Sequence, residues 1–281
     1  MKDLDLVLKQ LEPLNAAAIH VAKDAEDAQA RARQAVSERY DCIIAAGGDG
    51  TLNDVINGIA EHASDLRLGL IPLGTGNDFA RCLNLPNTVE ENVELLILGE
   101  TRPIDLVRVQ SDLTRYFVNV SAGGFSGLVD EKLTPEIKQT WGPLAYIRSA
   151  AAALPELRAY RTDIELDDKE SFSLALFNVI IANGRFVAGG LPIAPDADPA
   201  DGLVDVILIP ARPTSEIVRM TAQVVLGKHL TSDAIVFHRV AKVAVKSRPG
   251  MWFNVDGELV GNEPALFEVV PRALNFVVGK K

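Results

Sequence analysis

The chain is poor in the residues that build metal sites, disulfide frameworks and cationic surfaces. It has two cysteines and four histidines in 281 residues. Cys42 and Cys82 form no Cys-x-x-Cys pair and sit in or beside apolar segments, so they read as buried free thiols. His20, His62, His229 and His238 show no metal-ligand spacing, which argues against zinc. Lys and Arg number 28 against 38 Asp and Glu, a formal net charge of −10. Affinity for nucleic acid comes largely from Lys and Arg on phosphates, so no nucleic-acid partner is expected. No apolar run approaches the ~18 residues of a membrane span. Met1–Gln10 is charged and lacks an apolar h-region, so it does not read as a signal peptide, and the expected location is the cytoplasm.

What is present suffices for a packed core. Hydrophobic residues make up 48% of the chain and charged residues 23%, which excludes intrinsic disorder. The first half alternates strand and helix. Ala16–Val21 reads as a short strand. Ala25, Ala28, Ala32, Ala35 and Val36 recur at helical spacing, predicting a helix over Asp24–Arg39 with Asp24 as its N-cap. Asp41–Ala45 reads as a fully buried strand, Thr51–Ala60 as helix, Arg67–Ile71 as strand and Asn77–Leu83 as helix. Such units imply a parallel α/β sheet with ligands at the carboxyl ends of its strands.

The second half reads as antiparallel and β-rich. Strands are expected at Leu106–Val109, Tyr116–Val120, Tyr160–Leu166, Ser173–Ala182, Leu203–Ile209, Val240–Val245, Met251–Val255, Ala265–Val270 and Leu274–Val278. Turn signals such as Asp167-Asp168 and Pro249-Gly250 separate several of them. Two helices, around Leu144–Leu154 and Thr214–Leu226, interrupt. The boundary is placed near residue 105. This gives an α/β domain over 1–105 and a β-rich domain over 106–281, with a cleft between them.

Two loops carry the chemistry. Gly47-Gly48-Asp49-Gly50-Thr51 follows a strand and precedes a helix. Its glycines let the main chain turn sharply and approach a ligand, and the exposed N–H groups favour an anion such as phosphate. Thr51 can cap the helix or bond a phosphate oxygen. Asp49 is unusual there, because a carboxylate beside phosphate needs a cation or a proton-accepting role to justify it. The loop is not the Walker pattern, which needs Gly-Lys-Ser/Thr. Gly74-Thr75-Gly76-Asn77-Asp78-Phe79-Ala80 also lies between strand and helix. The two loops would face one another across the sheet edge, with Thr75, Asn77 and Asp78 at the mouth and Asn77 or Thr75 as helix cap.

Together these loops resemble the diacylglycerol-kinase catalytic family, in its bacterial soluble lipid-kinase branch, which shares its fold with sphingosine and ceramide kinases. Gly-Gly-Asp-Gly alone is shared with NAD kinases; the Gly-Thr-Gly-Asn-Asp loop at this distance is not. Asn119–Phe125, Trp141–Tyr146, Asp201–Val206 and Asn254–Glu258 extend the resemblance over most of the chain. It implies an NAD-kinase- or phosphofructokinase-like α/β domain and an ATP-dependent lipid kinase, with diacylglycerol as the leading acceptor. ATP would lie on Gly47, Gly48, Asp49, Gly50, Thr51, Leu52, Asn53, Gly74, Thr75, Gly76 and Asn77. Glu258 of the Asp-Gly-Glu turn would be the general base on the lipid hydroxyl. Mg²⁺ would be held by the Asp201 carboxylate with the main-chain carbonyls of Asp198 and Leu203, an oxygen-only set. A second Mg²⁺ arriving with ATP would be reached by Asp49 and Asp78, directly or through water.

Two features depart from the family. Members usually open with a strand and an Asn-Pro-x-Ser/Ala-Gly loop that helps hold the nucleotide; this chain begins about where the next helix should lie. Ala22 stands where a nucleotide-contacting threonine is expected. Arg239, Lys242, Lys246 and Arg248 precede Met251, Trp252 and Phe253 with no acidic residue between. This stretch could meet anionic headgroups, but the favoured reading is an ordinary hairpin with Trp252 and Phe253 split between surface and core. The lipid substrate implies transient peripheral contact with a membrane, and a homodimer is left open. Two alternatives stand. One is a kinase of a soluble acceptor, with Asp49 as base; the other is a catalytically weak nucleotide- or lipid-binding module.

Overall fold

The computed structural model describes residues 4–16, 18–62, 66–125, 157–213, 216, 219–220, 223–224, 226–256, 258–262 and 264–279, the side chains of 4–7, 231 and 258 excepted. Helices α1 (Leu4–Leu11), α2 (Ala25–Ser37), α3 (Asp49–Ile59), α4 (Asp78–Cys82) and α5 (Val89–Leu98) fall in the first hundred residues with strands β1 (Cys42–Gly47) and β2 (Arg67–Pro72). Strands then dominate: β3 (Glu100–Gln110), β4 (Thr114–Phe117), β5 (Val120–Gly124), β6 (Tyr160–Leu166), β7 (Glu170–Ala182), β8 (Phe186–Val187), β9 (Leu191–Pro192) and β10 (Val204–Pro210). They continue with β11 (Val236–Val240), β12 (Lys242–Arg248), β13 (Phe253–Val255), β14 (Glu258–Gly261) and β15 (Ala265–Val278).

β1 and β2 run parallel, from Cys42 beside Arg67 to Gly47 beside Pro72. A parallel pair needs a crossover, and α3 supplies it. Both strands therefore end at one edge, and the tight turn at Gly48, which leads straight from β1 into α3, lies beside the loop 73–77. The later strands are antiparallel. β6 and β7 join through Asp167, Asp168 and Lys169; the first two are left-handed at φ +51° and +56°, and the Lys169 N–H closes the turn on the Leu166 carbonyl at 2.9 Å.

β15 ties the two halves together. Its first part pairs with β12, and most of its length pairs with β3. Near its end Asn275 and Phe276 pair in parallel with Arg67 and Leu68 of β2. Phe276 therefore enters the core of the first half with Leu52, Ile56, Leu68 and Phe79. Its ring meets Phe79 edge-on, centroids 5.8 Å apart. A second core, with Phe117, Phe253 and Phe267, fills the β-rich half. Between Val270 and Leu274 β15 shifts register, and Arg272 adopts φ +56°. The buried Asp105 holds this irregularity, accepting the Arg272 N–H at 2.6 Å on one oxygen and the Gly202 N–H at 2.7 Å on the other.

The mixed architecture matches the sequence: parallel strands and helices first, an antiparallel β-rich half after. Asp24 caps α2, accepting the Asp27 N–H at 2.9 Å. Three readings are corrected. Ala16–Val21 is not a strand; its described residues are irregular and leave Ile19 and Val21 exposed. β1 lies at the end of the described sheet and pairs only with β2; the 16–21 segment does not add to its open edge. Tyr116–Val120 divides between β4 and β5. The segments 265–270 and 274–278 are one strand interrupted by the Arg272 irregularity. The Leu144–Leu154 helix and the Trp141–Tyr146 match lie outside the described residues, and of the Thr214–Leu226 helix only 216, 219–220 and 223–224 are described as helical. Among the described residues no helix is long and apolar enough to cross a membrane.

Candidate active site

The two glycine loops touch backbone to backbone. A Cβ on Gly74 would lie 2.5 Å from the Gly48 Cα, so only glycine fits this crossing. α4 starts directly after the second loop. It is too short to carry many of its own hydrogen bonds, and its first N–H groups need partners. Asn77 does not cap it. Asn77 is left-handed at φ +51°, and its amide closes back on Gly74, accepting that N–H at 3.0 Å and donating to its carbonyl at 2.8 Å.

The cap comes from the other loop. Asp49 accepts the Asp78 N–H on one carboxylate oxygen and the Phe79 N–H on the other, each at 3.1 Å. The carboxylate that looked out of place beside phosphate thus locks the two loops together.

Asp78 continues the chain of contacts into the second half. It accepts the Gly189 N–H at 2.9 Å and the Gly190 N–H at 2.6 Å. These glycines turn β8 into β9 with φ of +84° and +112°. Burial pushes the Asp78 carboxyl above its ordinary range; the Gly189 N–H opposes this and the Asp49 charge adds to it. A Cβ on Gly76 would stand 3.2 Å from Asp49 Oδ2 and 3.4 Å from Asp78 Oδ2. Both carboxylates therefore border one small space above Gly76.

A third carboxylate stands close by. Asp256 turns β13 into β14 with φ +46°. It accepts the Val120 N–H at 3.2 Å, and the Val118 and Asn119 N–H groups also favour its charged form. Burial pushes its carboxyl up to about 7 against these N–H groups, with the Asp49 charge adding to the rise. Burial, helped by the Asp49 charge, thus raises both Asp78 and Asp256, and the arrangement suits a cation brought by a phosphate ligand. The sequence reading passed over Asp256 and the Gly189–Gly190 turn; the adjacent glycines before Leu191-Pro192 were the available signal for the latter.

The other expected residues fall in three groups. Gly47, Gly48, Gly50, Thr51, Gly74, Thr75 and Gly76 line the joined loops, with Thr51 lying over Gly47. Leu52 and Asn53 lie deeper: Leu52 is in the core, and Asn53 is buried with its side-chain oxygen accepting from Asn57 at 2.9 Å. Glu258 begins β14 opposite Val255, two residues beyond Asp256.

The third group is the turn at 198–203, which folds on itself. The Asp201 N–H meets the Asp198 carbonyl at 3.3 Å, and Asp201 Oδ1 accepts the Leu203 N–H at 3.0 Å. Arginines meet much of its acidic charge. Arg102 pairs with Asp198 at 2.6 Å; Arg239 lies 2.8 Å from Asp205 and 3.5 Å from Asp201. Among the described residues no three His, Cys, Asp or Glu side chains are gathered as a metal set. Asp205 Oδ2 is nevertheless buried without a hydrogen-bond partner, and burial raises this carboxyl. The basic stretch is partly committed as well. Lys242 is bonded to Asp168 at 2.8 Å and Arg239 to Asp205, while Phe253 is buried and Trp252 is 50% exposed.

A parallel-stranded half with glycine loops, closed against an antiparallel half by aspartates, defines a kinase of NAD-kinase-like fold. Comparison with known proteins places it more closely. Residues 1–109 match the diacylglycerol kinase catalytic domain, and 119–278 match the YegS C-terminal NAD kinase beta sandwich-like domain. A diacylglycerol kinase of Bacillus subtilis is 33% identical over 283 residues, covering 100% of this chain and 92% of that protein. One of Staphylococcus epidermidis is 34% identical over 241 residues, covering 86% and 75%. A crystal structure of a Bacillus anthracis diacylglycerol kinase superposes with TM-score 0.77 at 21% identity, over 99% of this chain and 93% of that one. An Archaeoglobus fulgidus NAD kinase solved with ATP superposes with TM-score 0.54 at 15% identity, over 100% and 90%. The chain belongs to the diacylglycerol kinase family and is a lipid kinase.

Proposed function

We propose that the chain transfers the γ-phosphoryl group of ATP to the hydroxyl of diacylglycerol, giving phosphatidic acid and ADP, and that it does so from the cytoplasm in transient contact with a membrane surface. The observation that carries this reading is the Asp49 clamp. It joins the two glycine loops and ends, through Asp78, on the half that carries Glu258.

The glycine-loop N–H groups would hold the ATP phosphates. Glu258 takes the hydroxyl proton as that oxygen bonds to the γ-phosphorus and the bond to ADP breaks. Asp49 is a poor candidate for this step, because both its oxygens are already engaged by the Asp78 and Phe79 N–H groups. This disfavours the soluble-acceptor mechanism. Mg²⁺ entering with ATP would neutralise phosphate charge, and Asp49, Asp78 and Asp256 are the carboxylates placed to receive it.

We further propose Mg²⁺ at the 198–203 turn, with the Asp201 carboxylate and the main-chain carbonyls of Asp198 and Leu203 as donors. The unpartnered Asp205 oxygen supports a need for cation there. Mg²⁺ titration should raise the melting temperature of the wild type and not of Asp201→Asn; equal shifts would remove the site.

The acceptor is tested by incubating the chain with γ-labelled ATP, Mg²⁺ and detergent-dispersed diacylglycerol, monoacylglycerol, ceramide and sphingosine. Label should enter the organic phase with diacylglycerol first. Label confined to another lipid would reassign the acceptor. Label in none would remove the assignment of these lipids as acceptors.

A further inference from the structure

The Asp49 and Asp78 carboxylates border the proposed phosphate cradle, so the γ-phosphoryl group would approach negative charge there. Phosphoryl transfer spreads further charge over the equatorial oxygens, and a positive group beside them is worth orders of magnitude in rate. Several other arginines are already engaged. Arg185 donates to the Cys82 carbonyl and lies over the Phe186 ring, and Arg102 and Arg239 pair with aspartates.

Arg81 differs. It stands one helical turn after Asp78 on α4, so the two side chains share a face. Helical side chains lean toward the helix N-terminus, which directs Arg81 back toward Asp78. It is exposed and makes no ion pair among the described residues. Its guanidinium lies against the Gly190 main chain: a Cβ there would be 3.2 Å from Arg81 Nε and 3.4 Å from Cζ. The same Gly190 donates its N–H to Asp78. Arg81 and Asp78 thus flank one peptide, with the cation on its open side.

We infer that Arg81 is a catalytic residue that contacts the transferring γ-phosphoryl group, its planar fork bridging phosphate oxygens across the Asp78–Gly190 contact. The inference rests on the ATP-kinase reading. An aspartate-rich site that binds polyphosphate needs a fixed cation beside the bound metal. A guanidinium matches phosphate geometry in a way that an ammonium does not.

The test compares ATP with ADP. Arg81→Ala should weaken ATP binding about tenfold and slow transfer by roughly 10²–10³-fold, while ADP affinity and melting temperature stay unchanged. Arg81→Lys should recover part of the loss, and added guanidinium ion should rescue Arg81→Ala. If Arg81 only props the β8–β9 turn, ATP and ADP weaken together and melting falls; that result, or unchanged kinetics, overturns the inference. A wild type that binds ATP more tightly than ADP but labels no lipid would remove the lipid-kinase assignment and leave Arg81 standing. A wild type that binds neither nucleotide would overturn both.

Discussion

At the scale of single residues, the molecule gathers carboxylates around the proposed phosphate site, where they would ordinarily be excluded. Asp49, Asp78 and Asp256 each accept main-chain N–H groups and thereby position three loops. This has a consequence for pH. The buried Asp256 carboxyl keeps its proton up to about 7 against an ordinary 3.8. Between those values the unfolded chain releases a proton that the folded chain retains. The group's stabilising contribution is therefore complete below the ordinary value and is lost as pH rises to about 7. Asp78, also raised by burial, acts in the same sense. Denaturation of the ligand-free chain from pH 4 to 7.5 should show stability falling more steeply in the wild type than in Asp256→Asn. Parallel curves would contradict the assigned burial effect. None of this was legible from the motifs. They flagged Asp49 as anomalous and proposed Asp78 near metal, but a sequence cannot show which N–H groups a carboxylate will meet across 29 or 111 positions.

At the scale of elements, the site depends on a crossing rather than on either loop alone. Gly74 and Gly48 meet so closely that Gly74→Ala forces main-chain atoms apart. The variant should lose about 1–3 kcal/mol in chemical denaturation and weaken ATP binding at least about tenfold, the loops no longer presenting their N–H groups together. Retained ATP affinity would show that the crossing is incidental. These loops were readable because composition and position agreed: glycine clusters directly between strand and helix. The strand over Ala16–Val21 was misread for the converse reason. Its apolar residues satisfy a propensity, but a strand is made by its pairing rather than by propensity, and this segment does not pair with the open edge of β1. The β8–β9 turn was missed because two-residue strands carry no periodicity.

At the scale of the whole molecule, β15 makes the two halves interdependent. It runs from the β-rich core into the α/β core and ends with Phe276 fully buried against Phe79. Phe276→Ala should cost about 3–5 kcal/mol. Tryptophan fluorescence from Trp141 and Trp252, both in the second half, and far-UV circular dichroism should still report one coincident transition at a lower midpoint. Separate transitions would show that the halves unfold independently. The sequence showed both terminal apolar segments, but not that one strand carries them through Arg272, because the irregularity is fixed by Asp105, more than 160 positions away.

The central claim divides the labour: loops of the first half hold the nucleotide, and Glu258 of the second half moves the proton. The most direct test measures ATP affinity and the rate of phosphoryl transfer to diacylglycerol in the same preparation of Glu258→Gln. The account predicts affinity within about twofold of wild type and transfer slowed by roughly 10²–10⁴-fold. Transfer at the wild-type rate would contradict it, and so would a loss confined to ATP binding.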